Sequence, residues 1–454
     1  MRKKNNSSFG LLFVLVLFIA GSLFVYFSSI FERNAPLVTM ETNGYWNLKK
    51  PLALKISDAS GIKSYKIKLK SSKETTTLEY EQLITPEKEL VLEVKPPRSA
   101  YAMKDKSIEI IVEAVDVSKW NMLAGNSVRK IFKLQIDKKR PQLSIVSNSY
   151  KISRGGSAIV VFKLDDANID EFYIQGNHKK KFIPQPFYKD GYYILLLAWP
   201  VIDEGFKATI IAKDLAGNVS KAYIPLYLKQ KNYRVSKIKL SDKFLKGKIA
   251  DLAEEFVETQ GVEGSLEQFK IINEDVRAKN EALIHELTSK VKEDKRDDFK
   301  MNKMYPLKNA QVVASFGDHR KYYYDGEKIS ESYHLGLDLA SNAMASIRPQ
   351  NGGEVIFSDY NGLYGNMPLI HHGLGLYTLY GHCSSIKVST GDETTIREVI
   401  ANTGKSGYAM GDHLHFGVLV QGIEVRPQEW MDKQWIKLNI NDVIKSAKKI
   451  IDRD

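Results

Sequence analysis

Five residues in the C-terminal third, His334, Asp338, His382, His413 and His415, have the types needed for metal-assisted hydrolysis. The stretch Gly411-Asp412-His413-Leu414-His415-Phe416 sets two histidines two apart. Read as a strand, it turns both imidazoles to one face and Leu414 and Phe416 to the other. Same-face neighbours lie roughly 6.5–7 Å apart at Cα, so one imidazole can ligate a metal while the other stands beside the reacting water. His334-Leu335-Gly336-Leu337-Asp338 repeats the alternation. As a strand it puts His334, Gly336 and Asp338 on one face, which the glycine keeps open. A histidine pair or a His-x-x-x-Asp spacing alone is commonplace. Together, His334, Asp338 and His415 offer three nitrogen or oxygen ligands and leave a fourth tetrahedral position free, as in catalytic zinc sites. A metal held there acidifies water and polarises a carbonyl.

The set continues with His372-Gly373-Leu374-Gly375-Leu376-Tyr377-Thr378-Leu379-Tyr380-Gly381-His382, then Thr403-Gly404 and the Gly411–Phe416 stretch. In this order the motifs resemble the lysostaphin-type (LytM) zinc metalloendopeptidases, over residues 305–432, and point to a membrane-anchored bacterial member. The resemblance implies a small antiparallel β-sheet with a groove and one Zn2+ per domain. It implies His334, Asp338 and His415 as zinc ligands, His382 and His413 as catalytic helpers, and the peptide cross-bridges of peptidoglycan as substrate. Which helper handles which proton stays open. Cys383 stands where the family usually has leucine, and Gly417 where an acidic residue is frequent. Cys383 is expected to be a packing residue, because neighbours on a strand point to opposite faces. His372, with His371 and His319, reads as structural or surface histidine; His178 and His285 have no partner by spacing. Two other readings follow from the same residues. One is a catalytically inactive LytM-type protein that binds the wall or activates another wall hydrolase; the other is an adhesion or scaffold protein acting through its β modules.

The elements that must position this site come earlier. Residues 35–139 and 140–230 read as two β-sandwich modules of the immunoglobulin-like kind. In the first, the runs at residues 52–56, 65–69, 90–94 and 107–114 alternate apolar and polar residues, with Ile108, Ile110 and Val112 on one face. The second echoes it. Ile56-Ser57-Asp58-Ala59-Ser60-Gly61-Ile62 is matched by Leu164-Asp165-Asp166-Ala167-Asn168-Ile169, and an Ala-Gly-Asn turn recurs at residues 124–126 and 216–218. Gly and Asn suit such turns because they tolerate positive φ. The role expected of these modules is spacing.

Residues 231–303 change to a helical period. Leu245, Ile249, Leu252, Ala253 and Phe256 share one face, Gly261 to Gly264 break the run, and Ser265-Leu266-Glu267-Gln268 reads as a capping box. Phe269, Ile272, Val276, Leu283, Ile284 and Leu287 then make an apolar stripe. The segment is a connector or a flap over the groove. The peptidase region spans residues 304–435. A terminal helix over 436–454 carries Val443, Ile444, Ala447, Ile450 and Ile451 on one face.

At the other end, Arg2, Lys3 and Lys4 precede an uncharged run from Ser7 to Ile30. That run is long enough to span a bilayer. It continues past the Ala20-Gly21-Ser22 stretch, where a signal peptide would end after an apolar core of about 7–15 residues. Residues 1–34 are therefore expected to be a cytoplasmic stub and a single-pass anchor. The basic residues stay inside and the bulk of the chain lies on the extracytoplasmic, periplasmic side. The 454 residues carry a net charge of +12 and one cysteine, which excludes an intrachain disulfide and a Cys-rich zinc site. The charge suits anionic surroundings such as wall polymers or headgroups; with no nucleic-acid motif, a nucleic-acid partner is not expected. The fold class expected is mostly β and multidomain.

Overall fold

The structure, a computed structural model, describes residues 7–98 and 102–454. The basic residues Arg2, Lys3 and Lys4 lie outside the described residues. The chain is mostly β, with an apolar helix at its N-terminus, and it forms two compact units. The first unit is Met1–Pro141 with residues 166–170 and 213–219; the second is the remainder.

In the first unit, helix α1 (Ser7–Phe27) has 21 residues and is about 31 Å long. Among the described residues it is the one helix long and apolar enough to cross a membrane. The alternating runs form strands Leu52–Lys70, Thr75–Val94 and Ser107–Asp116. The first two runs belong to a single strand, whose ladder is interrupted between Ser57 and Ile62. There the Asp58 carboxylate accepts the Ser60 and Gly61 amides at 2.9 and 3.1 Å, a local turn that replaces ladder bonds. The six strands of this module join one hydrogen-bonded sheet. Ile108, Ile110 and Val112 are buried in its core.

The repeat has a hydrogen-bonded basis. Asp116 accepts the backbone and side-chain amides of Asn126 at 2.7 and 2.8 Å; Asp214 accepts those of Asn218 at the same distances. Each asparagine also donates to a carbonyl just ahead of its own module, Glu32 for Asn126 and Asp137 for Asn218. Strands between residues 142 and 223 form two four-stranded sheets, and Lys151–Ser153 pairs with Tyr227–Lys229 in a two-stranded one.

In the second unit, residues 242–255 and 265–288 are helical. Leu245, Ile249, Leu252 and Phe256 are buried, as are Phe269, Ile272, Val276 and Ile284, whereas Leu283 is exposed. The capping box does not form. Gly264, with φ +92°, precedes the helix in place of a side-chain cap, and Gln268 Nε2 reaches back to the Val262 carbonyl. The helical segment shares a core with Tyr322 and Leu363. Its leading strand β1 (Val235–Lys239) runs parallel to β2 (His319–Tyr324), which pairs with β3 (Glu327–Tyr333).

The main C-terminal sheet orders its strands Gln311–Ala314, β4 (Leu337–Ala340), then Leu414–Val420, Leu376–Gly381, Asn366–His371, Gly353–Tyr360 and Glu393–Thr394. Strand Leu414–Val420, fully buried, lies at the centre with β4 on one side and Leu376–Gly381 on the other. The tail forms helix Asp442–Ile451, with Val443, Ile444, Ala447 and Ile451 buried and Ile450 exposed. It packs on strand Gln142–Asn148, and Ser149 Oγ donates to the Asn439 carbonyl at 2.8 Å.

Candidate metal centre and its auxiliary histidines

Strand pairing builds the centre. Asp338 on β4 is in register with His415 on the central strand, which sets the two side chains side by side. His334 is not on that strand: it follows the end of β3, its amide donating to the Asp318 carbonyl at 3.0 Å. A tight connection through Gly336 returns the chain to β4. A Cβ on Gly336 would clash with Nε2 and Cε1 of His415, so the open face expected of this glycine is a contact with the imidazole itself.

His334 Nε2, Asp338 Oδ1 and His415 Nδ1 form a triangle with edges of 2.9, 2.9 and 3.1 Å. A tetrahedral ion with bonds of about 2.0–2.1 Å separates its ligand atoms by about 3.3 Å, so the donor set fits a zinc-sized ion after a small expansion. Its protonation states fit as well. Burial opposes ionisation of Asp338, but the charges and hydrogen bonds of His334 and His415 outweigh it and hold the carboxyl well below its usual range. Burial lowers His415, favouring the neutral imidazole.

His382 and His413 adjoin the triangle. Their rings lie 4.8 Å apart, and the His382 ring is 5.8 Å from that of His415. His413 Nε2 is 3.8 Å from Asp338 Oδ2. Strand Leu376–Gly381 ends before His382, which takes φ +64°. Alternation therefore does not govern Cys383. Cys383 is buried for another reason: its Sγ donates to the Tyr380 carbonyl at 3.2 Å, and burial pushes its thiol up to about 12.

Three of these histidines share a device that residue types do not reveal. Nδ1 of His334, His382 and His413 lies 2.9, 2.9 and 2.8 Å from the carbonyls of Ser315, Ser406 and Gly411. A carbonyl only accepts, so each Nδ1 carries a proton and each Nε2 is the nitrogen turned to the site. Burial, with the charges of His415 and His413, lowers His382 to about 3 and keeps it neutral.

The remaining histidines lie elsewhere. His372 is held between the Gly352 carbonyl and the Thr378 hydroxyl, each at 2.8 Å. His178 pairs with Asp203 at 2.9 Å and His285 with Glu424 at 2.7 Å, partners that spacing did not indicate.

The centre lies in a cavity of about 660 Å³. Ile238, Leu240, Phe244 and Arg277 of the helical segment form part of its wall, and Arg320, Tyr364 and Tyr408 also line it. Their place follows from the pairing of β1 with β2 and from helix packing.

Residues 332–427 match the model of peptidase family M23. The C-terminal region is a peptidase family M23 domain. Similar proteins include DD-carboxypeptidase/endopeptidase Mpg of Neisseria meningitidis serogroup B, 34% identical over 96 residues, which are 21% of this chain and 22% of that protein. Peptidoglycan DD-endopeptidase ShyC of Vibrio cholerae is 30% identical over 123 residues, 27% of this chain and 28% of that one. Murein hydrolase activator EnvC of Escherichia coli is 31% identical over 98 residues, 22% and 23% of the two chains. The similarity thus spans about a quarter of these relatives' length.

Proposed function

We propose that the chain is a zinc-dependent endopeptidase that hydrolyses peptide cross-links of peptidoglycan during cell-wall remodelling. The observation that carries this reading is the triangle of His334, Asp338 and His415, with His382 and His413 beside it in one cavity. The first three are the ligands in this reading and the last two the catalytic helpers. Zinc bound there would supply Lewis acidity, making water a nucleophile at neutral pH and polarising the scissile carbonyl. The chain's own residues handle the protons. With Nδ1–H held by backbone carbonyls, both helpers offer Nε2 as an acceptor. One of them takes the proton of the attacking water, and the imidazolium so formed returns it to the leaving amine. The other orients the water or supports the developing oxyanion.

In the same reading α1 is a single-pass anchor in the cytoplasmic membrane, with everything beyond about residue 31 on the extracytoplasmic side. The two β modules are immunoglobulin-like spacers between membrane and wall. The domain boundaries are those stated from the sequence, with β1 joining the peptidase strands. A second reading, an inactive activator of other hydrolases, is favoured by the likeness to a murein hydrolase activator. The complete set of five residues favours the enzyme. Digestion of defined cross-linked muropeptides by the full chain, with and without a zinc chelator, decides between them by mass spectrometry of the products. Chelator-sensitive cleavage at a peptide cross-link is expected. Intact muropeptides from a zinc-loaded chain would leave the activator.

A further inference from the structure

Arg320, on β2, borders the same cavity. Its side chain is 25% exposed, yet its guanidinium makes no hydrogen bond among the described residues. Nε lies 3.7 Å from Asp318 Oδ2 and Nη2 lies 4.0 Å from Asp338 Oδ2, both beyond hydrogen-bond range. Each carboxylate is engaged elsewhere. Asp318 accepts the Ser236 hydroxyl at 2.7 and 2.9 Å, and Asp338 directs Oδ1 to His334 and His415. The other carboxylate on the cavity wall, Asp412, is satisfied by the Thr403 hydroxyl and the Met344 amide.

Two more cations line the cavity, Lys239 and Arg277. Arg277 is already fixed: it donates to the carbonyl and the side-chain oxygen of Asn273 at 3.2 and 3.0 Å. It adds positive field, whereas Arg320 has donors to spare. Arg320 lines the cavity with no protein acceptor within hydrogen-bond range among the described residues, so its N–H groups are open to an incoming acceptor. A planar fork of N–H donors matches a carboxylate in two-point fashion.

We propose that Arg320 forms an anion subsite of the groove that binds a carboxylate of the peptide substrate, making the cleaved cross-link a carboxylate-bearing one rather than a neutral bridge. This rests on reading the adjacent triad as the peptidase centre. The short distance from Arg320 to Asp338 places that carboxylate within about two residues of the scissile amide. It is either the α-carboxylate of a chain end or a side-chain carboxylate of a flanking residue.

The test uses the full chain and two pairs of synthetic cross-linked peptides. One pair differs only in having a free or an amidated chain end, the other in a free or an amidated side-chain carboxyl beside the scissile bond. Cleavage by the zinc-loaded chain and equilibrium binding to the chelated, metal-free chain are measured for all four. In one pair the free carboxylate is expected to raise both kcat/KM and affinity about tenfold, roughly 1.4 kcal/mol, and the pair that responds identifies the source. Arg320→Gln should erase that ratio with zinc content unchanged, its loss falling on the free-carboxylate peptide; Arg320→Lys should restore part of it. Equal binding of free and amidated peptides in both pairs overturns the proposal. So does an equal loss on both members of a pair in Arg320→Gln, which would mark a residue that only steadies Asp338. If the binding ratio holds and no peptide is cleaved, the subsite stands and the peptidase reading falls.

Discussion

Nδ1 of His415 lies 2.9 Å from Oδ1 of Asp338, across two antiparallel strands whose pairing brings the residues opposite one another. Register therefore holds this contact, and a side-chain rotation alone cannot recreate it elsewhere. His334 enters from a turn, so the geometry of that turn decides whether the third corner of the triangle forms.

Gly336 is the sensitive point of the turn. A methyl there runs into the His415 ring, and moving the ring opens the triangle. Gly336→Ala is expected to weaken zinc binding at least tenfold while leaving the far-ultraviolet circular dichroism unchanged. Competition with a chromophoric chelator measures it. Wild-type affinity in the variant would show that the ring has room to move.

The two histidines of the Gly411–Phe416 stretch should separate in their effects. His415→Ala removes a corner of the triangle and should abolish stoichiometric zinc and activity together. His413→Ala should keep zinc and lose turnover by about 10²–10⁴-fold, the usual contribution of a positioned acid–base group. Zinc analysis and muropeptide digestion on the same samples test both, and normal digestion by either variant would sink the assignment.

His372 makes a pH prediction. Burial lowers it to about 4 from an ordinary 6.5, so the folded state holds it neutral. Its contribution is fully present above pH 6.5. As pH falls from 6.5 towards 4, the unfolded chain binds the proton first and stability is lost, by on the order of 3 kcal/mol. Urea midpoints of chelated wild type and His372→Gln, followed from pH 7.5 to 4.5, should converge on acidification. Parallel curves would mean that His372 is not the group responsible.

The helical segment is part of the second unit's core. Phe269 is fully buried, with its ring 5.1 Å from that of Tyr322 on β2. Phe269→Ala should cost about 3–5 kcal/mol, read from urea unfolding. For the same reason, a chain begun near Met304 should lack the cooperative unfolding transition of one that retains residues 231–303. An equally stable shortened chain would return the segment to the status of a connector.

Much of this protein could be read from residue types and local periods. The alternation at residues 52–56, 65–69, 90–94 and 107–114 specifies strands because side chains alternate across a sheet. The apolar run at residues 7–27 specifies a long helix by length and composition. His334, Asp338, His382, His413 and His415 stand out as candidates because few side chains ligate metals or move protons near neutral pH, and all five line one cavity. What tertiary structure alone decided depends on pairing over long separations and on groups that every residue carries. Asp338 meets His415 across 77 residues of chain. The tautomers of His334, His382 and His413 are set by backbone carbonyls, which leave no trace in residue type. The left-handed turn at His382 breaks the strand alternation just before Cys383. Arg320, one of many basic residues in a chain of net charge +12, became distinct only when β2 set it beside Asp338 without a hydrogen-bonding partner among the described residues.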